Sequence, residues 1–483
     1  MRKFKSELIK AISNSTGKHF DSSTGDITIE DFLQLPWVRR NQLGAIYVIP
    51  QLLAIYIKAN YIIQNNYGNL YIYENGCYRL KRDNEWRAFI KAFMPEEYRK
   101  KRNWDDVLEE LKTDYPISTK KLNADENIIN FKNGILNIST GELMPHDPKY
   151  LSTIQIPCNY VSGLTLDDAP VTKRFLTDLC TTDFGYFDQD VMTLLLEVMG
   201  AVFSNVKGSR YKKCLILHGP GNTGKTQLRQ LVISLVGKEN TISVDLGRMQ
   251  DKFGTSELPG KRLAGSGDMA YAKVSEMNIL KALTGGDDTT IEGKYQKMKS
   301  EEYNGFLWYN CNQLPKFGGD RGEHLYERFM LVPCTNVIPL SKRDPAILDK
   351  MLTEKEAIVS VAIEYFKKSV ERGYRFTEGE TVDIERDKYE TYNNSLLYFV
   401  SSYCIIPGGM RTARTTFNKV YSVWCRDNNF KPETQTEIGK ILETQCGISP
   451  VKINGKYYYE LEVDYENLDR TENSYLLGGN YSR

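Results

Sequence analysis

The sequence predicts an α/β protein whose centre is a mostly parallel β-sheet covered by helices. Three observations support this fold class. Short apolar runs alternate with helical stretches between about residues 170 and 375, and Asn-Gly turns separate apolar runs on both sides of that region. The length of 483 residues suffices for about three domains. We therefore expect an α+β domain at 1–165, the sheet domain at 166–375 and a further unit at 376–483.

The composition excludes several classes of protein. The 63 basic and 62 acidic residues give a net charge of +1, so the chain does not coat nucleic acid by bulk charge. Nine cysteines stand singly, without a C-x-x-C pair, beside four histidines. This argues against a zinc knuckle or a disulfide framework and fits the reducing cytoplasm.

The first domain is predicted to have two parts. Residues 1–62 show apolar positions at helical spacing and are expected to form a helical appendage. Within it, 43–57 lacks charge but is too short to span a bilayer, so we expect a buried helix pair broken at Pro50 and no membrane segment. Residues 66–160 carry two hairpin signals, at Asn75-Gly76 and at 128–138, with a helical stretch at 95–114 between them.

The strands of the central sheet are predicted from five apolar runs. They are 214–218, 241–244, 262–265, 305–310 and 329–333. The first run leads into a full match to the phosphate-loop pattern G-x-x-x-x-G-K-[ST], and a helical stretch follows. With the next residue, the candidate nucleotide-binding residues are Gly219, Pro220, Gly221, Asn222, Thr223, Gly224, Lys225, Thr226 and Gln227.

This loop has a chemistry that follows from its residue types. Glycines let successive backbone N–H groups turn towards a phosphate, and the N-terminus of the following helix adds a positive dipole end. Lys225 would neutralise the β- and γ-phosphates of ATP, and the Thr226 hydroxyl would ligate Mg²⁺. The alternative is a glycine-rich turn with a solvated lysine.

Three polar side chains downstream are candidates for catalysis. Asp268 follows the 262–265 strand and would complete the Mg²⁺ shell, and Asn312 follows the 305–310 strand, where an amide can touch the γ-phosphate or the attacking water. Arg328 precedes the 329–333 strand, from which it could complete the site of a neighbouring subunit. The alternatives are a surface-turn aspartate and a salt-bridged surface arginine.

Two sets of lysines are candidates for binding DNA. Lys294 and Lys297 lie in a polar excursion after Gly285-Gly286, which by itself is more often a solvated loop. In the last unit, two helical stretches at 415–427 and 433–446 precede an Asn454-Gly455 hairpin, the pattern of a winged helix. Residues 408–460 hold eight basic and five acidic residues, and Lys440, Lys452 and Lys456 are the candidate contacts. A winged helix that contacts only protein is the alternative.

In this order the motifs resemble those of superfamily 3 helicases, in the branch of phage, plasmid and poxvirus primase-helicases. The matching features are the 219–226 loop, the strand that ends at Asp268, 283–287 with its following lysines, Asn312 and Arg328. Residues 130–136 and 141–148 look like the small domain that precedes the ATPase in that branch. The resemblance covers about 65–463.

This resemblance implies an AAA+ ATPase core, a homo-hexameric ring with ATP sites between subunits, and single-stranded DNA in a central channel. It also implies 3′ to 5′ translocation, Asn312 as sensor, Arg328 as a finger in trans, and Lys294 and Lys297 as the pore hairpin. Duplex origin DNA would bind the C-terminal unit, and host replication proteins are a further candidate class of partner. The catalytic base beside Asp268 stays unassigned. Because no primase domain fits before residue 65, we expect no primer synthesis.

Three functions stay open from the sequence. The first is an ATP-dependent DNA helicase and replication initiator of a mobile genetic element. The second is an origin-binding or assembly protein that uses ATP only as a switch. The third, a phosphotransferase acting on a small molecule, gives no role to Asn312, Arg328 or the final hairpin.

Overall fold

The computed structural model describes most of the chain. The described residues are 2–16, 29–66, 68–94, 98–114, 122–250, 254–269, 273–274, 277–291, 299–317, 323–406, 411–428 and 430–468. No helix among them is both long enough and apolar enough to cross a membrane.

The N-terminal elements form their own apolar core. They are α1 Arg2–Thr16, α2 Ile29–Leu33, β1 Val38–Arg40, β2 Ile46–Val48, α3 Pro50–Asn60, β3 Ile63–Asn66, β4 Asn69–Glu74, β5 Cys77–Leu80, α4 Asp83–Lys91 and α5 Lys101–Asp114. Buried side chains from α1 to α5 meet around Trp37, Trp86 and Phe93. The predicted hairpin at Asn75-Gly76 is confirmed, because both residues have positive φ (52° and 82°) between the paired strands β4 and β5.

The prediction of a buried helix pair at 43–57 is wrong in its first half. Strand β2 pairs antiparallel with β1, and helix α3 begins at Pro50, where a missing N–H costs nothing. Gly44 has φ 81°, and the Asn41 amide oxygen accepts from the N–H groups of Leu43 and Ala45. This turn chemistry decides against a helix and leaves Leu43 94% exposed.

A second antiparallel hairpin joins the central region. Its strands are β6 Ile128–Phe131, β7 Gly134–Asn137 and β8 Leu143–Met144. Phe131 and Leu136 belong to the same buried cluster as side chains of the helices at 170–179, 189–203 and 355–371. The domain boundary expected at 165 stays a prediction.

The central region contains a five-stranded parallel sheet. Its elements are α6 Pro170–Leu179, α7 Gln189–Phe203, β9 Cys214–His218, α8 Lys225–Val236, β10 Thr241–Ser243, β11 Leu263–Gly265, β12 Lys273–Val274, α9 Asn278–Gly285, β13 Asp288–Ile291, β14 Lys299–Glu302, β15 Phe306–Asn310, β16 Lys316–Phe317, α10 Glu323–Tyr326, β17 Phe329–Pro333, α11 Ile347–Thr353 and α12 Lys355–Glu371. The strand order is β10-β11-β15-β9-β17, with all neighbours parallel. The predicted α/β class with a parallel sheet is confirmed.

The C-terminal elements are α13 Glu380–Asn393, α14 Ser395–Tyr403, β18 Cys404–Ile405, β19 Thr412–Ala413, α15 Arg414–Asp427, α16 Gln435–Cys446, β20 Val451–Ile453, β21 Lys456–Tyr459 and β22 Glu462–Val463. From α14 onwards they share an aromatic core, whereas Tyr389 of α13 packs in the central region. Short 3₁₀ turns elsewhere are Pro148–Tyr150, Leu166–Asp168, Gly208–Arg210, Lys238–Asn240, Arg248–Gln250 and Leu340–Lys342. The apolar pattern of 377–404 fits one continuous helix, but the chain forms two, because the Asn394 side chain caps α14 by accepting from the N–H groups of Leu396 and Leu397.

A buried arginine closes the carboxyl end of α7. The Arg262 guanidinium donates to the carbonyls of Ala201 (3.0 Å), Val206 (2.9 Å) and Asn304. Burial lowers the pKa of Arg262 to about 10. The guanidinium thus satisfies carbonyls at the end of α7, among them Ala201, and carbonyls of the loops at Val206 and Asn304.

Replacing Arg262 with methionine should lower the free energy of unfolding by about 3–5 kcal/mol, because several buried carbonyls lose their donor. The control is Arg210→Met, which removes an exposed arginine paired with Glu126 at 3.1 Å and should cost less than about 1 kcal/mol. Urea unfolding of the two variants side by side measures the difference. Equal midpoints would show that the Arg262 contacts add no stability.

Candidate functional site

The glycine-rich loop after β9 has a backbone that larger residues would not tolerate. Gly219 has φ 126°, and a Cβ there would lie 2.4 Å from the Cys334 carbonyl oxygen. Gly224 has φ 100° at the start of α8, and Asn222 has φ 64°. The space beside Gly221 is open, since a Cβ there would meet nothing within 4 Å. The loop residues therefore fit the close approach of an anion to the backbone.

Lys225 is the buried cation of this loop. Its Nζ donates to the carbonyl oxygens of Gly219 (2.8 Å) and Pro220 (2.7 Å) and to the Thr223 hydroxyl (3.2 Å). Burial lowers the pKa of the Lys225 ammonium. The nearby Asp268 carboxylate raises the same pKa and partly offsets this shift. The charge is thus held at the loop by neutral acceptors, which a phosphate can replace.

A cavity of about 1280 Å³ lies at the carboxyl ends of the parallel strands. Residues that follow β9, β11, β15 and β17 all line it, as expected for a ligand site of an open α/β sheet. It brings together the predicted Lys225, Thr226, Asp268 and Asn312, with Gln227 beside them. Thr226, Asp268 and Asn312 are exposed, so their polar groups face solvent in this cavity.

The strand that ends at Asn312 is tied to the helix of the phosphate loop. The Asn310 amide donates to the Lys225 carbonyl oxygen at 2.9 Å and accepts from the Trp308 indole. Asn310 is buried, and the sequence prediction missed it because its partner lies 85 residues away. This bond fixes the distance between the loop and Asn312.

The far wall of the cavity was likewise not predicted from the sequence. It consists of Arg174, Phe175, Asp178 and Leu179 from α6 and residues 336–347, including Lys342 and Arg343. The Asn336 amide donates to the Asp178 carbonyl at 2.8 Å and closes the wall. The one sequence signal for this wall is the position of Asn336 after β17, at the carboxyl edge of the sheet. The α6 sequence contains no such signal.

Arg328 lies apart from this chain's own cavity. Its Nη1 donates to the Thr284 hydroxyl (2.7 Å) and to the Lys281 carbonyl (3.2 Å), both on α9. Helix α9 ends at Gly285. The residue that caps it, Gly286, has φ 81° and leads into the antiparallel strands β13 and β14. Lys294 and Lys297, between these strands, lie outside the described residues. The base of this hairpin and Arg328 therefore share one anchoring helix.

Helix α13 contacts the opposite side of the sheet's carboxyl edge. The Glu385 carboxylate lies 3.3 Å from His218 Nε2, directly before the phosphate loop, and 2.7 Å from Lys388 Nζ. The proximity of the His218 ring is the main cause that lowers the pKa of the Glu385 carboxyl group to about 2. The Tyr389 hydroxyl donates to the Pro315 carbonyl at 2.6 Å, three residues beyond Asn312.

The C-terminal lysines are exposed on separate elements. Lys440 lies on α16, and Lys452 and Lys456 lie on the paired strands β20 and β21. Asn454 and Gly455 between these strands both have positive φ (47° and 81°), which confirms the predicted hairpin. Strand β19 adds to β21, so two helices and a three-stranded antiparallel sheet share one core.

The described part of the chain holds no cluster of three or more His, Cys, Asp or Glu side chains arranged to bind a metal ion. The donor set at Thr226 and Asp268 offers one hydroxyl and one carboxylate. Such a set fits Mg²⁺, which is usually held by one or two protein oxygens together with substrate phosphates.

Comparison with known families gives two matches. Residues 10–181 match the family described as D5 N terminal like. Residues 217–328, which include the loop and Arg328, match a family of unknown function, DUF5906.

Comparison with solved structures gives similar chains. The A form apo structure of the NrS-1 C terminal region is 14% identical, with 85% of this chain and 98% of that chain covered and a TM-score of 0.47. The apo structure of NrS-1 residues 305–718 is 14% identical with the same coverage and a TM-score of 0.45.

Proposed function

We propose that this protein is an ATP-hydrolysing DNA motor that acts in replication, with the AAA+ core of superfamily 3 helicases. The observation that carries the proposal is the meeting of Lys225, Thr226, Asp268 and Asn312 in one cavity at the carboxyl edge of a parallel sheet. The D5 N terminal like match over residues 10–181 agrees with it, because that domain is typical of phage and plasmid primase-helicases.

In this proposal each side chain has a separate task. Lys225 exchanges the carbonyl oxygens of Gly219 and Pro220 for the β- and γ-phosphates. The Thr226 hydroxyl and the Asp268 carboxylate would hold Mg²⁺, and the Asn312 amide would orient the attacking water. ATP bound with Mg²⁺ supplies the scissile phosphoanhydride and the divalent charge that offsets its phosphates. Arg328 reaches the nucleotide of a neighbouring subunit.

The DNA contacts of the proposal are divided between two regions. The C-terminal unit has the helix and strand content of a winged helix, whose exposed Lys440, Lys452 and Lys456 would contact phosphates of an origin duplex. Lys294 and Lys297 would contact a single strand in the channel of a homo-hexamer. Translocation from 3′ to 5′ and the hexamer come from the family resemblance. A narrower resemblance, to the replication initiator helicases of staphylococcal pathogenicity islands, suggests service to a mobile genetic element in the cytoplasm.

One observation favours the switch alternative. The acidic residues lining the cavity are Asp178, Asp268 and Asp344, and no glutamate is among the described residues there. Asp344 is engaged by Lys350, whose hydrogen bond lowers the pKa of its carboxyl group. A site whose other two acids, Asp178 and Asp344, lie on the far wall could bind ATP and hydrolyse it too slowly for a motor.

An unwinding assay with a forked DNA substrate distinguishes the motor function from the switch function. We expect strand displacement with ATP and none with a non-hydrolysable analogue, together with a hexamer mass in native mass spectrometry. The control is Arg375→Ala, which removes an exposed arginine that does not line the cavity and should retain unwinding. If the wild type hydrolyses no ATP on DNA yet binds duplex tightly, the switch function is correct and the motor is wrong.

A further inference from the structure

The hairpin formed by β1 and β2 projects from the N-terminal core. Residues 39–45 and Tyr47 are all exposed, while Val38 and Val48 at its base are buried. In the strand register Arg39 is paired with Tyr47, so their side chains share one face of the hairpin. Leu43 stands at the tip with 94% of its surface exposed. The exposed part thus combines cations, an aromatic ring and an apolar tip.

The arginines of this hairpin form no ion pair with any carboxylate that the structure describes. Within the described part of the chain, no carboxylate lies within 4 Å of the Arg39 or Arg40 guanidinium, and Arg39 Nη1 donates only to the Val38 carbonyl. The turn and second strand, 41–48, contain no charged residue. Because no described carboxylate forms an ion pair with them, these two adjacent arginines keep donors available for an anionic partner.

The hairpin is also rigid enough to act as a preformed surface. The Asn41 amide oxygen accepts from the N–H groups of Leu43 (3.0 Å) and Ala45 (2.8 Å), which fixes the tip. At the base, the Ile49 N–H donates to the Trp37 carbonyl at 2.8 Å, and the Trp37 ring packs 4.6 Å from the Tyr56 ring. A rigid site loses little entropy when a ligand binds.

We propose that this hairpin binds single-stranded DNA, with Arg39 and Arg40 on phosphates and Tyr47 and Leu43 against unpaired bases. Charge complementarity selects a polyanion. An exposed tyrosine beside an arginine favours an unpaired strand, since the base faces on which a ring stacks are covered inside a duplex. The inference rests on the proposed function for the choice of DNA, but it needs neither ATP nor the C-terminal lysines.

Binding of a labelled 30-nucleotide oligothymidine to the full chain, measured by fluorescence anisotropy without ATP, tests the role of the hairpin. Arg39→Ala/Arg40→Ala should lower the slope of log affinity against log salt by about 1.4, because two phosphate contacts are lost. Tyr47→Ala should weaken binding about fivefold or more through loss of a stacked base. Arg39→Lys/Arg40→Lys, which keeps the charge, should retain the salt slope.

The matched control is Lys101→Ala/Arg102→Ala, an adjacent exposed cation pair on α5 of the same N-terminal core. It removes the same charge and should leave the slope unchanged. If both pairs lower the slope equally, or if the hairpin pair weakens a 30-base-pair duplex as much as the single strand, the inference is wrong. If either of these results is found but the protein still unwinds DNA, the proposed motor function stands and only the hairpin inference is wrong. If the hairpin binds the single strand as expected but the protein hydrolyses no ATP, only the motor function is wrong.

Discussion

Replacing Arg328 with alanine should lower the rate of DNA-stimulated ATP hydrolysis by about 10³- to 10⁵-fold, the range for an arginine finger that acts in trans. The geometry supports a role outside its own subunit, because Arg328 is anchored on α9 through Thr284 and Lys281 and does not line this chain's cavity. Arg375→Ala, which removes an exposed arginine of the central region, should leave the rate unchanged.

Mixing two inactive variants tests whether Arg328 acts across an interface. A ring that contains both Arg328→Ala and Lys225→Ala subunits has some interfaces with an intact loop from one subunit and an intact arginine from the next. We expect partial recovery of hydrolysis on mixing. Recovery would be absent if Arg328 served only its own subunit, and a wild-type rate in Arg328→Ala alone would remove it from the site.

Replacing Lys225 with alanine should lower the hydrolysis rate by roughly 10²- to 10³-fold, the loss that follows removal of one preorganised donor from developing charge. Gly219, Pro220 and Thr223 would also lose the ammonium that joins them. Lys225→Met keeps the aliphatic stem and separates loss of charge from loss of packing.

The matched control for Lys225 is Lys238→Ala, an exposed lysine just after the same helix. A steady-state ATPase assay of the three variants measures the effect, and thermal unfolding checks that each is folded. Hydrolysis at the wild-type rate in both Lys225 variants would contradict the assignment of the loop. Loss of rate only in Lys225→Ala would assign the lysine a packing role.

The central sheet was predictable because each strand carries its own signal. Cys214–His218 and Phe329–Pro333 occur at the predicted bounds, and the other three strands differ by one residue at one end. Fully buried strands appear as short apolar runs, and polar residues follow where the chain leaves the sheet. The positions of Lys225, Asp268 and Asn312 after their strands then predicted their meeting in one cavity.

The remaining features depend on contacts that a local pattern does not contain. The Asn310 amide reaches Lys225 across 85 residues, and Asn336 closes the cavity against α6 across 158 residues. At 43–57 the apolar pattern fits a helix, and the turn at Gly44 decides otherwise. At Asn394 a single capping side chain divides a continuous helical pattern.

Helix α13 connects the C-terminal unit directly to the residues at the edge of the cavity. Its 14 residues span about 21 Å. Glu385 and Tyr389 hold it to His218 and to the carbonyl of Pro315, and its last residue is followed directly by the cap of α14. Both anchors lie on one turn of the helix, so we expect a displacement of the C-terminal unit to be transmitted through α13 to His218 and to Pro315. Tension on the chain would therefore act on the geometry at the cavity without any further contact.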